Sequence, residues 1–522
     1  MIKRTAAFIL ILTMVAIFAG CERCGEEALK EEEVTLKWVI LGPGILKDSE
    51  MVWERFNEEL KSYLPNTRVE FEVIPASEYS EKWRLIAAGE KSVDLVWTGY
   101  ANNFLSEVQK NAFLPLNDLL KEYGSTLFSQ IPQWALDRQT IGGKVYAVPC
   151  MQMMVEIQSG LAVPQELYDK YMGDERAGKI EKIFTSDKKI EKSDYRFIEE
   201  YLENLKKAGK LGKGVSPTLL TNILPMRYGH APFDISSIGG IAYIENDDKT
   251  LTLHSNDEKE EKELKSYEIM SEWYKKGYIR KDILEVTDYK ADIGVPDGYV
   301  MWKSEDLMGS EENESLRYGM DVKIIPYEGK RYIGYGSSNT NTAIAQSSKN
   351  PERAMQLLVL MNTEKGKDLL NLLSFGIEGR HYVKTGENRI RLLGEGIIGS
   401  PKRDYGYNDW SLGNALNSYE TQYQPMGYKE YFKELNSTAE FSPLMGFTFD
   451  PTPVNVEFMQ WITIYDEYSY LMWGKAGAVD YKKIYKEMRH KLKLAGEDLI
   501  FKEIERQLGE WKAEKLKGQA KE

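Results

Sequence analysis

The sequence predicts an α/β protein organised as two large domains. Apolar strand-like runs alternate with amphipathic helical stretches over the first 150 residues, an order that builds a largely parallel sheet. A chain of 522 residues is also too long for one compact core. The last third then changes character and reads almost entirely as helix.

Each element has a local reason. Val34 to Leu41 is an apolar run ending at Gly42-Pro43-Gly44, which predicts a strand and a turn. Asp48 or Ser49 is placed to cap a following helix in which Val52, Trp53, Phe56 and Leu60 share a face. A second strand is expected over Val69 to Ile74, then a helix from Glu78 to Ala88, a turn at Gly89 and a short buried strand from Asp94 to Trp97. Phe113 to Leu120 reads as chain turning into a helix capped by Asn117. Ile141 to Pro149 reads as a Gly142-Gly143 hairpin followed by a strand. Further on, helices are expected over Asp194 to Ala208 and Glu258 to Lys276, with a strand at Tyr299 to Trp302. Tyr332 to Ala345 is rich in Gly, Ser, Asn and Thr and reads as a connecting loop before a helix from Pro351 to Met361. Glu457 to Tyr468 and Tyr481 to Trp511 are the strongest late helices. Trp461, Tyr465, Tyr468 and Met472 follow helical spacing there and are expected in the core. There is no internal repeat.

The first residues have a different logic. Lys3 and Arg4 precede an apolar run from Ala6 to Phe18, the pattern of a secretory signal peptide. The run is shorter than the ~20 apolar residues needed to span a bilayer core. Ile17-Phe18-Ala19-Gly20-Cys21 resembles the lipobox of bacterial lipoproteins, which implies cleavage after Gly20 and acylation of Cys21. Two acyl chains suffice for stable anchoring. The other reading is a plain secreted protein. The charged stretch from Glu22 to Glu33 is expected to be a flexible tether, placing the chain at the outer face of the cytoplasmic membrane.

Composition narrows the function. The formal net charge of −13 repels phosphate backbones and argues against nucleic acid as a partner. Three cysteines do not make a disulfide framework, although a Cys24–Cys150 bridge stays open. Cys21-Glu22-Arg23-Cys24 has CxxC spacing but sits at the processing site, outside any βαβ unit. Gly42-Pro43-Gly44 lacks the third glycine of a dinucleotide fingerprint. A P-loop and a Gly-x-Ser-x-Gly elbow are missing. His230, His254, His381 and His490 are isolated from one another, so no zinc pair forms at helical spacing. The expectation is a protein without catalytic residues, cofactor or metal. A carboxylate-based glycosidase stays open, because 81 acidic residues offer many pairs. The 32 tyrosines and 11 tryptophans, flat rings with a polar handle, favour a carbohydrate cleft in an exported chain.

Several segments resemble one family in order. Ala87-Ala88-Gly89-Glu90 followed by Asp94-Leu95-Val96-Trp97 is similar to the "AAGxxPD" passage of extracellular solute-binding protein family 1, the oligosaccharide-binding type of ABC importers. Ser92-Val93 stands where that family has proline. Phe113-Leu114-Pro115-Leu116, Gly143 to Pro149 and Asn350-Pro351-Glu352-Arg353-Ala354 resemble its later landmarks. Leu372 to Val383 and Gly446 to Pro453 resemble its LipO/LplA lipoprotein branch.

This resemblance implies a two-lobed, periplasmic-binding-protein-like (class II) fold with a helical C-terminal region. It divides the chain into residues 1–20 as signal peptide and 21–33 as tether. Residues 34–150 with about 338–375 form the N-lobe, and 151–337 with about 376–522 the C-lobe. It implies a monomer that captures an oligosaccharide between the lobes and passes it to an ABC permease. An exported carbohydrate-degrading enzyme and a sugar-sensor subunit are the alternatives.

Ligands of open α/β sheets bind beyond the carboxyl ends of strands, and sugars need aromatic plates beside short polar groups. Trp97, Thr98, Gly99 and Tyr100, with Asn102 and Asn103, meet both conditions after one strand, and Gln152 follows another. Trp302 ends a strand of the second lobe, Tyr335 and Ser338 lie at the expected crossover, and Tyr405 and Trp410 sit in an aromatic loop. Glu378 and His381 belong to the branch motif and complete the expected ligand-binding set.

Overall fold

A computed structural model describes residues 33–519, apart from 90–91, 103, 187, 189, 224–232, 235–240, 245–247, 249, 330–331, 334–339 and 397. The expected signal peptide, the tether up to residue 32 and the lipid-bearing Cys21 therefore lie outside the described residues. Among the described residues, no helix is long and apolar enough to cross a membrane.

Two sheets organise two lobes. The first runs in the order Thr67–Ile74, Val34–Leu41, Leu95–Gly99, Thr340–Ile344, Val148–Pro149. Its first three strands are parallel, with Trp38 opposite both Phe71 and Leu95. Thr340–Ile344 runs antiparallel to Leu95–Gly99 and to Val148–Pro149. The second sheet runs Val322–Pro326, Ser159–Pro164, Tyr299–Glu305, Gly214–Val215, and only its last pair is parallel. The largely parallel sheet expected from the sequence is thus confined to three strands of the first lobe. The second lobe is mostly antiparallel because Ser159–Pro164 lies between Tyr299–Glu305 and Val322–Pro326, both distant in sequence and both running against it.

The apolar pattern explains the packing. Leu36, Trp38 and Ile40 face one side of the first sheet with Val52, Phe56 and Leu60 of the helix Ser49–Leu60. Val39 and Leu41 face the other with Tyr79 and Trp83 of the helix Ala76–Ala88. The second lobe has one large core that continues into the C-terminal helices through Trp461, Tyr468, Tyr485 and Leu492, with Tyr465 and Met472 packed against it. Gly142 and Gly143 both adopt left-handed φ, as the hairpin between Thr140–Ile141 and Lys144–Val145 requires. The expected 481–511 helix is two helices, Tyr481–Leu494 and Glu497–Gln519, broken at Gly496 with φ +95°.

Three local expectations fail for identifiable reasons. Asn117 does not cap its helix; its side chain accepts from Val145 N and donates to Gly143 O, tying the helix to the hairpin. The segment expected as a Gly/Ser/Asn/Thr loop contains the central strand Thr340–Ile344, whose Thr340, Asn341 and Thr342 are buried, with Thr340 Oγ1, Asn341 Nδ2 and Thr342 Oγ1 hydrogen-bonded. The described residues of 376–421, expected in the C-lobe, pack against the first lobe. Tyr405, Tyr407 and Leu412 join its core, Tyr407 Oη lies 2.6 Å from Ser49 Oγ, and His381 and Arg380 both reach Asp48.

Among the described residues, three chain crossings join the lobes. The first is 150–158; the second follows Pro326, the end of a second-lobe strand, and includes the described pair Tyr332–Ile333. The third, 422–443, carries the helix Tyr428–Thr438. Tyr332–Ile333 pairs with Glu440–Phe441, and Asn436 accepts from Met154 N and donates to Gln152 O, each at 2.7 Å. A small hinge core of Val155, Ile333 and Leu435 lies between the crossings.

Candidate ligand-binding cleft

The lobes and the hinge enclose a cleft of about 1470 Å³. Its first-lobe wall begins where the strand Leu95–Gly99 ends. Gly99 and Tyr100 line it, and Tyr100 is 58% exposed with its ring edge-on to Trp97 at 5.3 Å. Trp410 lines the same wall from the 376–421 segment. Its backbone is held on both sides: Asp409 Oδ1 accepts from Trp410 N at 2.8 Å, and Thr340 Oγ1 donates to Trp410 O at 2.9 Å.

The hinge forms the floor. Gln152 and the Met153–Ile157 stretch come from the first crossing, and Tyr428 and Phe432 come from the third. Tyr428 and Phe432 are one helical turn apart, with centroids 4.2 Å apart. Burial pushes the Tyr428 phenol up to about 12, so it stays protonated and can donate. Lys429 Nζ reaches Asp409 Oδ2 at 2.8 Å, and Ser418 donates to the same carboxylate. That ion pair joins the neighbours in sequence of two lining rings, Trp410 and Tyr428. Arg138 also lines the floor; burial pushes its guanidinium down to about 10 against the opposing pull of Glu156, so it remains a cation at neutral pH.

The second-lobe wall is built by the C-terminal segment. Phe447, Phe449 and Phe458 are buried behind that wall, while Met459, Thr448 and Asn455 are exposed beside them.

Of the residues expected at the ligand, Gly99, Tyr100, Gln152 and Trp410 line this cleft. Asn103, Tyr335 and Ser338 lie outside the described residues. Five aromatic or polar candidates, Trp97, Trp302, Tyr405, Thr98 and Asn102, are interior. Trp97 is 0% exposed, with Nε1 donating to Thr340 Oγ1 at 2.8 Å and Tyr79 edge-on at 5.1 Å. Trp302 is 1% exposed, and its Nε1 donates to Glu314 Oε2 at 2.7 Å. Tyr405 is buried and donates to Leu373 O. Thr98 is buried and donates to Asn102 Oδ1, which also accepts from Gly99 N, so both residues shape the turn that presents Tyr100.

Glu378 and His381 belong to a separate first-lobe site. Glu378 lies 3.6 Å from Lys384. His381 Nδ1 accepts from Ile377 N at 2.9 Å, which leaves the proton on Nε2, and Nε2 donates to Asp48 Oδ2 at 3.1 Å. Burial holds the His381 pKa below its usual range despite Asp48, while the Arg380 hydrogen bond holds the Asp48 carboxyl low. A neutral imidazole bonded through both nitrogens staples the Gly376–His381 turn. The residues the sequence reading missed, Tyr428 and Phe432, carry only a helical signal. Phe447 and Phe449 stood inside a recognised motif with nothing to mark them as lining.

Three comparisons bear on this geometry. Residues 443–513 match a family described as a domain of unknown function (DUF3502). A protein of Streptococcus pneumoniae named "Carbohydrate ABC transporter substrate-binding protein" is 23% identical over 455 residues, spanning 85% of this chain and 84% of that protein. Among solved structures, the N-glycan transport solute binding protein NgtS of S. pneumoniae superposes with a TM-score of 0.72 at 21% identity, over 91% of this chain and 98% of that one. The S. pneumoniae substrate-binding protein FusA in complex with kestose superposes with a TM-score of 0.58 at 12% identity, over 92% and 100%. With two sheets, three crossings and helices closing the second lobe, the chain has the two-lobed α/β fold of these solute-binding proteins.

Proposed function

We propose that this chain is an extracytoplasmic solute-binding protein that captures an oligosaccharide between its lobes and delivers it to an ABC permease. The observation that carries this reading is the cleft itself. Aromatic rings from the first lobe and from the hinge, Tyr100, Trp410, Tyr428 and Phe432, share it with amide and hydroxyl side chains. Sugar rings stack on the first kind of group and hydrogen-bond to the second. A volume of about 1470 Å³ exceeds the ~300–1000 Å³ of ordinary small-molecule pockets and suits several sugar units. The name of the S. pneumoniae relative and the glycan-complexed structural neighbours support the same class.

In this reading Gly99, Tyr100, Gln152 and Trp410 contact the ligand together with Tyr428 and Phe432, and the protein binds and releases without chemistry. It works as a monomer, held at the outer face of the membrane by lipid on Cys21. The resemblance of the segments 372–383 and 446–453 supports a LipO/LplA-like branch.

Calorimetric titration of the soluble fragment from Cys24 onward tests the function. The panel is mannose-containing N-glycan fragments and kestose-type fructo-oligosaccharides, with chromatography of the glycan afterwards. Saturable binding with an intact glycan is expected. A shortened glycan would replace binding with hydrolysis, and no binding to any oligosaccharide would remove the carbohydrate reading. Cys21→Ser is expected to abolish lipid labelling and release the protein from membranes; continued labelling would sink the anchor assignment.

A further inference from the structure

Gln109 ends the first-lobe helix Phe104–Gln109, and its Nε2 donates to Asp450 Oδ1 of the second lobe at 2.6 Å. The bond spans the mouth of the cleft, since Gln109 and Pro451 both line it. Both ends are firmly mounted. On the first lobe, Phe104 and Val108 are buried in the core, and Trp83 Nε1 donates to Glu107 of the same helix at 2.7 Å. On the second, Gln507 of the last helix grips the Asp450 backbone twice, accepting from Asp450 N at 2.8 Å and donating to Asp450 O at 2.7 Å. Thr452 N donates to the same Oδ1 at 2.9 Å and fixes the carboxylate direction.

We propose that residues 443–513, the segment matching a domain of unknown function, act as the jaw of the cleft, with Gln109–Asp450 as the strap that sets its resting gap. The strap rests on the two-lobed fold; only its consequence for sugar capture rests on the function proposed above. A hydrogen bond between mounted groups restrains the lobes themselves, because neither side chain can follow the other if the lobes part. Its donor is solvent-exposed, so water can replace the partner and the strap is reversible. A hydrogen bond to a carboxylate in such a position shifts the ratio of strapped to wider states about fivefold. The jaw then meets its ligand with part of the separation already removed, which raises the competent fraction before binding.

The test measures lobe separation without ligand. Spin labels are placed on the exposed residues Glu81 of the first lobe and Lys486 of the second, in a Cys24→Ser background with the buried Cys150 kept. Gln109→Glu puts a carboxylate against Asp450 and is expected to shift the distance distribution to longer values at an unchanged melting temperature. Gln109→Glu combined with Asp450→Asn rebuilds a carboxylate–amide bond with the roles reversed and is expected to restore the original distribution. An unchanged distribution in Gln109→Glu would overturn the strap. So would a double variant as open as Asp450→Asn alone, because Asp450 would then act only through Thr452 and its own segment. Failure to bind any glycan leaves this result standing and counts against the proposed function alone.

Discussion

Trp97 separates packing from ligand contact most sharply. Its ring is wholly buried, edge-on to Tyr79, and its indole N–H is spent on Thr340 Oγ1. Tyr79 in turn donates its hydroxyl to the Trp97 carbonyl. Trp97→Ala removes the ring and leaves a cavity walled by two strands and a helix, so the cost is about 3–5 kcal/mol. For a domain of 150–250 residues each kcal/mol moves the melting temperature by about 2–4 °C. The expected loss for the first lobe is therefore roughly 6–20 °C. Trp97→Phe keeps most of the volume and removes the hydrogen bond, and is expected to cost about 1 kcal/mol for that bond plus a small packing term. Scanning calorimetry of both variants, paired with glycan titration of the folded protein well below the transition, separates the two roles. A ladder of falling melting temperature from wild type through Phe to Ala, with affinity in the folded state changed by less than about threefold, is expected. A melting temperature unmoved in Trp97→Ala, with affinity lost, would refute the packing argument and return Trp97 to the cleft.

Trp410→Ala is expected to show the converse: a partly buried plate truncated at the cleft costs about 2 kcal/mol of binding, near thirtyfold in affinity, with a smaller change in melting temperature than Trp97→Ala by calorimetry. Cys150 is fully buried and its thiol is pushed up to about 11, so a thiol reagent at pH 8 is expected to label it only after denaturation; labelling of the native protein at the unfolded rate would contradict its placement. His381 titrates lower in the fold than the ordinary value near 6.5, so the unfolded chain takes up more protons there as pH falls. Its contribution to stability is therefore complete above about pH 6.5 and declines as pH falls towards the folded pKa. Denaturant titrations of wild type and His381→Gln across pH 5 to 7.5 are expected to converge at the acid end, and a stability difference that widens on acidification would reverse the sign.

Much of the fold was legible because its signals are local. The run 34–41, the face shared by Val52, Phe56 and Leu60, and the paired left-handed glycines of the hairpin each follow from a few neighbouring residues. Features that depend on distant partners were not legible. Thr340–Ile344 has a loop's composition and becomes a central strand only because Leu95–Gly99 and Val148–Pro149 offer ladders on either side. Residues 376–421 belong to the first lobe through Ser49, Asp48 and Phe56, all more than 300 positions away.

The misplaced aromatic residues share one cause, and it is physical. The first strand was expected to stop at Trp97, but its ladder continues to Gly99, with Trp97 paired to Thr342 and Gly99 to Thr340. The second was expected to stop at Trp302, but it continues to Glu305, with Trp302 paired to Ala162. A residue inside a central ladder is covered on both faces by whatever packs there. The residue that closes the ladder or the first one past it meets the cleft: Glu305 closes the second ladder and Tyr100 follows the first. Two further paired residues in one lobe and three in the other therefore move each tryptophan inside and bring Tyr100 and Glu305 to the lining. Those extra pairs come from strands some 140 to 240 positions distant, so propensity around Trp97 or Trp302 could not reveal them. Applied to the observed strand ends, the rule that ligands of α/β sheets sit beyond them points to Tyr100 in place of Trp97, and the difference is the length of the strand.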